Sequence, residues 1–105
     1  MNNFELKKIK NTTTWLQNVG YAYGKPAGEL KVGDIMGWNG GGTTEVTKII
    51  RETEKTVTVE ERWYDYDGVE KLTPRNLVKN RIVAIVENGK FRVANLTKDT
   101  FKYLV

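Results

Sequence analysis

Alternation of apolar and polar positions is clearest in "KTVTVEERWY", Lys55 to Tyr64, near the middle of the chain. Val57, Val59 and Trp63 fall on one face of a strand with period two, and we assign that face, Trp63 included, to the core. Glu61 falls on the same face, so we expect a β-bulge or a sheet-edge position there. The segment therefore predicts a half-buried strand with one irregular position.

Turn signals divide the middle of the chain into further short strands. "TTEVTKIIRE" comes before the short connection 53–55, and "DYDG" after the central strand carries a hairpin turn at Asp67 and Gly68. "TPRNL", 73–77, predicts a tight turn or one turn of 3₁₀ helix, because proline fixes its own φ angle. "RIVAIVE" is apolar on both faces, which is typical of a strand covered from both sides. Asn88 and Gly89 then predict a two-residue hairpin turn into "KFRVANL".

The two ends of the chain carry weaker signals. "FELKKIK" and "TTWLQNV" predict strands, whereas "GYAYGKPAGELKVGD" predicts a loop because of its glycines and proline. In "TKDTFKYLV", either Thr97 caps a short helix or the segment closes a further hairpin. Many short strands with closely spaced turns predict an all-β fold. We expect a small antiparallel barrel, or a sandwich, with added N- and C-terminal strands and one short C-terminal helix as an option.

Length and composition narrow the classes of function. A chain of 105 residues predicts a single domain over 1–105. It contains no cysteine, histidine or serine, which excludes disulfides, thiolate nucleophiles and histidine-based catalytic triads. Carboxylate–metal chemistry stays open, but no second motif supports it, so we expect no catalytic residue, metal or cofactor. No apolar run has the length of a signal peptide or membrane helix, which predicts a cytoplasmic protein without a membrane partner.

Charge is distributed unevenly along the chain. The total is +4, but residues 35–70 carry four basic and eight acidic side chains, and residues 71–105 carry eight basic and two acidic ones. This asymmetry predicts a polarised surface, unless neighbouring strands bring the opposite signs together. Arg75, Lys79 and Arg81 lie around one predicted turn and strand start. They either form a phosphate-binding cluster or belong to an ordinary solvated face.

The glycine run in "MGWNGGGTTEV", Met36 to Val46, has two interpretations. Successive N–H groups, with the hydroxyls of Thr43 and Thr44, form an anion-binding concavity, or the run is only a flexible hairpin loop. A Walker-type phosphate loop is excluded because no lysine and no helix follow. Trp38 at the mouth of the loop either packs into the core or stands exposed for stacking. Tyr21 and Tyr23, in the glycine-flanked segment, offer two further rings; exposed rings of this kind either stack on bases or anchor a protein interface.

The stretch "GELKVGDIMGWNGGGTTEVTKIIRETEKTVTVEE", Gly28 to Glu61, resembles the core of Tudor/KOW-type small β-barrel domains. "VGD" matches the first strand of such domains, and residues 46–50 match their long bent strand. The resemblance extends over residues 30–86 and implies a final barrel strand at 81–86, preceded by the 3₁₀-like "PRNL". The Lys/Asn/Thr-rich composition is also similar in style to small accessory proteins of phages and plasmids, many of which act by binding and not by catalysis.

Taken together, these features predict a non-enzymatic binding protein of phage or mobile-element type. Its partner is a nucleic acid or a nucleotide, held by aromatic stacking and basic side chains. The alternative is a phage-encoded inhibitor of a host or anti-phage defence protein, an anti-CRISPR-like counter-defence protein acting by protein–protein contact. The oligomeric state stays open, a homo-oligomer included. The candidate ligand-binding residues are Tyr21, Tyr23, Trp38, Asn39, Thr43, Arg75, Lys79 and Arg81.

Overall fold

The computed structural model describes residues 2–102 and contains one α-helix, two 3₁₀ helices and nine strands in that range. The helices are α1 (Asn3–Thr12) and the 3₁₀ turns Ala27–Glu29 and Asn39–Gly41. The strands are β1 (Thr13–Leu16), β2 (Gly20–Pro26), β3 (Ile35–Gly37), β4 (Thr43–Glu52), β5 (Thr56–Tyr64), β6 (Glu70–Val78), β7 (Ile82–Glu87), β8 (Lys90–Phe91) and β9 (Val93–Ala94).

All the described strands belong to one antiparallel sheet. Their order is β1-β2-β7-β3-β4-β5-β6, with β8 paired to β7 and β9 paired to β2. The predicted all-β antiparallel architecture is therefore confirmed. β1 and β6 end the order without pairing to each other, so within residues 2–102 the sheet is not closed into a barrel.

The core is formed by side chains of strands β3 to β7 and of the 3₁₀ turn Ala27–Glu29. Val57 and Val59 of β5 are buried, as their alternation predicted, and they pack with Leu77 of β6. Val83 and Ala84 are adjacent on β7 and both buried, which confirms that this strand is covered on both faces. The main cluster comprises Ala27, Leu30, Met36, Val46, Val57, Val59, Leu77 and Val83.

The predicted hairpin turns of the central and C-terminal regions are present. Residues 53–55 join β4 to β5, and residues 65–69 join β5 to β6. Asn88 and Gly89 both have positive φ angles, 53° and 73°, between β7 and β8. Two consecutive positive φ angles define the turn that matches the right-handed twist of a hairpin, which explains the Asn-Gly pair.

The predicted N-terminal strand "FELKKIK" is wrong, because this segment is the helix α1. The side chain of Asn2 accepts a hydrogen bond from the backbone N–H of Glu5 at 2.8 Å, which is a helix N-cap interaction. At the other end, the hydroxyl of Thr13 donates to the carbonyl of Ile9. An N-cap residue followed three positions later by glutamate favours a helix start, and this local signal outweighs the apparent alternation.

Two segments predicted as loop or turn are strands. Residues 20–26, expected in a loop, form β2, where the backbone of Gly24 runs so close to β7 that a Cβ atom would lie 1.8 Å from the carbonyl oxygen of Val83. "PRNL", expected as a turn or 3₁₀ helix, lies within β6. β6 is the last strand of the sheet, and a sheet edge tolerates Pro74 because its missing N–H can face outward.

Glu61 is neither at a sheet edge nor in a bulge of its own strand. β5 is an interior strand, and Glu61 pairs with Val46 on β4 and with Thr73 on β6. The irregularity lies in β4, where the register shifts between Val46 and Lys48. β4 shifts again between Ile49 and Arg51, so its simple alternation fails there and Ile50 is exposed.

The C-terminal segment forms neither of its two predicted structures within the described residues. Residues 98–102 are turns, and the N–H of Thr100 donates to the carbonyl of Thr97 at 3.1 Å. The last part of this prediction, residues 103–105, lies outside the described residues.

Candidate functional site

A surface cleft of about 560 Å³ lies where the inner face of the β5–β6 hairpin continues beyond the apolar core. Its volume is in the range of small-molecule sites in proteins. Residues of β4, β5 and β6, together with the end of the β3–β4 loop, form its walls. They are Trp38, Gly42, Thr43, Thr44, Glu61, Trp63, Tyr64, Thr73, Pro74 and Arg75.

Four of these side chains are linked in a closed set of contacts, which we call the Trp38–Arg75 circuit. The indole Nε1 of Trp38 donates to the hydroxyl of Thr44 at 2.8 Å, and that hydroxyl donates to Oε2 of Glu61 at 3.0 Å. Nε of Arg75 donates to both carboxylate oxygens of Glu61, at 3.0 and 2.8 Å. The guanidinium carbon of Arg75 then lies 4.1 Å from the centre of the Trp38 ring, which closes the circuit.

The charge of Glu61 explains why this circuit exists. The residue is 4% exposed, and a buried carboxylate without a partner is strongly destabilising. Both of its oxygens are hydrogen-bonded, and Arg75 supplies the opposite charge while its own side chain stays 38% exposed. Glu61 thus holds the guanidinium group over the Trp38 ring at the cleft wall. The sequence signal of this role is a single acidic residue in phase with buried valines.

Trp38 is half-buried, and neither of its two predicted roles describes it fully. Its ring packs against the main core, so it is a structural residue on one side. Arg75 covers it at 4.1 Å, and the guanidinium carbon of Arg81 lies 5.8 Å from its centre. A ligand in the cleft therefore meets the stacked Arg75–Trp38 pair and not a bare indole ring.

Arg75 and Arg81 both approach Trp38. Glu61 balances the charge of Arg75 alone. Arg81 is exposed and has no ion pair within residues 2–102. Only Nε of the Arg75 guanidinium is hydrogen-bonded in that range, which leaves its two Nη groups for a ligand. Guanidinium groups of this kind bind phosphate oxygens through paired N–H donors.

Trp63 was expected in the core, and that expectation is wrong. Its face alternates in phase with Val57 and Val59, but the core ends before this position is reached. The ring is half-buried in the wall of the cleft, and its Nε1 donates to the hydroxyl of Thr73 at 3.0 Å. Tyr64, the next residue, lines the same cleft and is 62% exposed.

The structure divides the predicted ligand-binding residues into separate groups. Trp38, Thr43 and Arg75 line the cleft, and Arg81 lies beside it. Lys79 lies elsewhere, at the other end of β6, where it forms an ion pair with Glu52 at 2.9 Å. The predicted basic cluster is therefore split between its arginines and its lysine.

Tyr21 and Tyr23 lie on β2 and line no part of the cleft. Tyr21 makes edge-to-face contacts with Trp15 and Phe101, and its hydroxyl donates to the carbonyl of Lys98 at 3.0 Å. Tyr23 lies under Arg92, whose guanidinium carbon is 5.4 Å from the ring centre. These contacts connect β2 to the C-terminal segment, so the two tyrosines do not join Trp38.

The glycine run forms a hairpin loop in which two of the glycine N–H groups and the side chain of Asn39 are already hydrogen-bonded. The N–H of Gly40 donates to the carbonyl of Gln17 at 2.7 Å, and the N–H of Gly41 donates to the carbonyl of Trp38 at 3.1 Å. Oδ1 of Asn39, another predicted ligand contact, accepts the N–H of Gln17 at 2.8 Å. These bonds fasten the loop to the end of β1, and its conformation is that of the hairpin alternative.

No protein-family model matches this chain, and no curated protein or solved structure shows significant similarity to it. Among residues 2–102, no three acidic side chains converge in a way that could hold a metal ion. In the same range, no helix is both long and apolar enough to cross a membrane.

Proposed function

We propose that this chain is a non-enzymatic, cytoplasmic binding module of phage or mobile-element type, whose ligand is a nucleotide or a nucleic-acid strand. One observation carries the proposal: two arginines approach Trp38 at the wall of a cleft that is also lined by Trp63 and Tyr64. Aromatic rings and guanidinium planes both stack on nucleobases, and guanidinium N–H groups bind phosphate.

The geometry supports a definite division of roles. Because Arg75 covers Trp38, a base in the cleft would stack on the outer face of the Arg75 guanidinium or on the rings of Trp63 and Tyr64. Each base–aromatic contact is worth about 1–3 kcal/mol. The Nη groups of Arg75 and the exposed Arg81 would meet the phosphate. Thr43, exposed at the cleft rim, would add a hydroxyl contact.

The test is titration of the full chain with ATP and with a short oligothymidylate at several salt concentrations. Tryptophan fluorescence reports the binding. We expect Arg81→Ala to weaken oligothymidylate binding about three- to tenfold and to lower the salt slope by about one, because one phosphate contact is lost. Arg92→Ala is the matched control, since Arg92 also lies on an aromatic ring but away from the cleft.

Three outcomes would remove the proposal. The first is no binding of either ligand, and the second is binding that does not change with salt. The third is an equal loss in the Arg81→Ala and Arg92→Ala variants, which would indicate a diffuse charge effect.

A second candidate function, inhibition of a host or defence protein by surface contact, is supported by a different part of the molecule. Large apolar side chains stand exposed together at the turn between β5 and β6. An exposed apolar patch of this kind is typical of a protein–protein contact site.

A further inference from the structure

The turn between β5 and β6, with the strand residues beside it, exposes an unusual number of large side chains. We call this region, residues 64–72, the hairpin tip. Tyr66 is fully exposed, Tyr64 is 62% exposed, and Val69 and Leu72 are about half exposed. Exposed aromatic rings in water are unfavourable in free energy, so a cluster of them on one surface is typical of a contact site. The hairpin tip is therefore a candidate contact surface.

A concave hollow lies on this tip beside the cleft. It has a volume of about 530 Å³ and is lined by Trp63, Tyr64, Asp65 and Tyr66. Three of its four wall residues are aromatic, so a ligand group there would meet ring surface on several sides. The fourth wall residue is Asp65, whose Oδ2 lies 3.8 Å from Nζ of Lys71, so its negative charge is partly compensated within the tip.

The charge of the hairpin tip is opposite to that of the whole chain. Residues 64–72 contain three carboxylates and one lysine, net −2, whereas the chain carries +4. Asp65 is engaged in the turn, where its Oδ1 accepts the N–H groups of Asp67 and Val69, both at 2.9 Å. Glu70 forms an ion pair with Arg62 at 2.8 Å. The carboxylate of Asp67 has no ion-pair or hydrogen-bond partner within residues 2–102.

We propose that the hairpin tip docks a lysine- or arginine-bearing segment of another protein. A cationic side chain in the hollow lies over the electron-rich faces of Tyr64 and Tyr66, which attract cations. Asp67 then supplies the opposite charge, and Val69 and Leu72 cover the alkyl part of the segment. The same charges repel the phosphates of a nucleic acid, so charge complementarity selects a basic protein segment as the occupant.

Docking at this tip proceeds through side chains and not through addition of a strand to β6. The outer edge of β6 is unpaired within residues 2–102, but it contains Pro74, which lacks the N–H that strand pairing requires. The inference rests on the second candidate function, contact with another protein. It does not depend on the two arginines of the cleft, although the hollow and the cleft share Trp63 and Tyr64.

The test is an NMR titration of the ¹⁵N-labelled full chain with an oligolysine peptide, with an oligoglutamate peptide as the charge control. We expect oligolysine alone to shift the amide signals of residues 64–72. Tyr66→Ala and Asp67→Asn should each weaken this binding about two- to fivefold. Trp15→Ala, which removes an exposed ring from β1, is the matched control and should leave the affinity unchanged.

Each other result overturns the proposal in a defined way. Shifts outside the hairpin tip, or equal shifts with oligoglutamate, would show that the tip is not a selective cation site. Oligothymidylate shifting residues 65–72, none of which lines the cleft, would assign the surface to nucleic acid. Concentration-dependent shifts without peptide, abolished by Tyr66→Ala, would assign it to self-association. By contrast, loss of oligothymidylate binding in Arg81→Ala with intact oligolysine binding would support the proposal, because it separates the tip from the cleft.

Discussion

The two ends of the β5–β6 hairpin present the same inner face to very different surroundings. Near the β4–β5 turn, the inward side chains are Val57, Val59 and Leu77, all buried in the main core. Toward the hairpin tip, the same face carries Glu61 and Arg75, paired through two hydrogen bonds in the cleft wall. One continuous ladder, without a register shift between β5 and β6, therefore contains both a dry core and a polar site.

The difference arises from what stands opposite each end. The core end faces Met36, Val46 and Val83, which are almost completely buried. The cleft end faces Trp38, which directly follows β3, and Thr44 of β4, whose hydroxyl accepts the indole N–H of Trp38. Alternation along a strand thus assigns a side chain to a face, but the residues that the neighbouring strands place opposite decide whether that face meets a core or a cleft.

The variant with the largest expected effect on stability is Arg75→Ala, at the cleft end. We expect a loss of about 3 kcal/mol in the free energy of unfolding, because the buried carboxylate of Glu61 loses the one opposite charge that pairs with it within residues 2–102. The value is at the lower end for a buried pair, since Arg75 itself is 38% exposed and water can enter. Urea unfolding, monitored by circular dichroism, measures this loss of stability.

The double variant Glu61→Gln/Arg75→Met is the control for that experiment. It removes both charges and keeps an amide oxygen for Thr44, so it should recover most of the lost stability. If Arg75→Ala costs less than about 1 kcal/mol, Glu61 is solvated and the two ends of the hairpin differ less than described.

At the core end, Val59→Ala should lower the free energy of unfolding by about 2 kcal/mol. Val59 is fully buried, and removing its methyl groups leaves a small cavity in addition to the lost transfer energy. Val78→Ala, an exposed valine at the end of β6, should change stability by less than about 0.5 kcal/mol. Equal losses in the two variants, measured by urea unfolding, would contradict the position of the core.

The smallest expected effect is that of Thr44→Val, inside the Trp38–Arg75 circuit. The substitution keeps the shape of the side chain but leaves Nε1 of Trp38 without its acceptor and Glu61 without one donor. We expect a loss of about 1 kcal/mol, together with a shift in the fluorescence spectrum of Trp38. Thr43→Val is the matched control, because the Thr43 hydroxyl has no hydrogen bond within residues 2–102 and should show neither change.

Much of the sheet was predictable because its signals are local. The strand ending at Tyr64, the turns at Asp67–Gly68 and Asn88–Gly89, and the doubly covered strand around Val83 all follow from spacing and turn chemistry. The errors also have local causes. A capping pair, Asn2 with Glu5, turns an apparently alternating segment into a helix.

The candidate site was predictable only in part. Trp38 and Thr43 lie on one segment of the chain and Arg75 and Arg81 on another, and residue type marks all four as candidates without fixing the contacts between the two segments. Glu61 is an exception in the apolar face of β5, but its partner Arg75 lies in "TPRNL", a segment whose sequence predicts a turn and not a strand. Without that strand no register exists to place an arginine beside the glutamate.

The sequence by itself determined the antiparallel β class, the face on which Val57, Val59 and Glu61 lie, and most of the hairpin turns. These properties depend on residues within a few positions of one another. Only the tertiary structure decided that Arg75 pairs with Glu61, that Trp63 leaves the core, and that the sheet stays open. These outcomes depend on which strands become neighbours and where each one ends, and both are set by packing across the whole sheet.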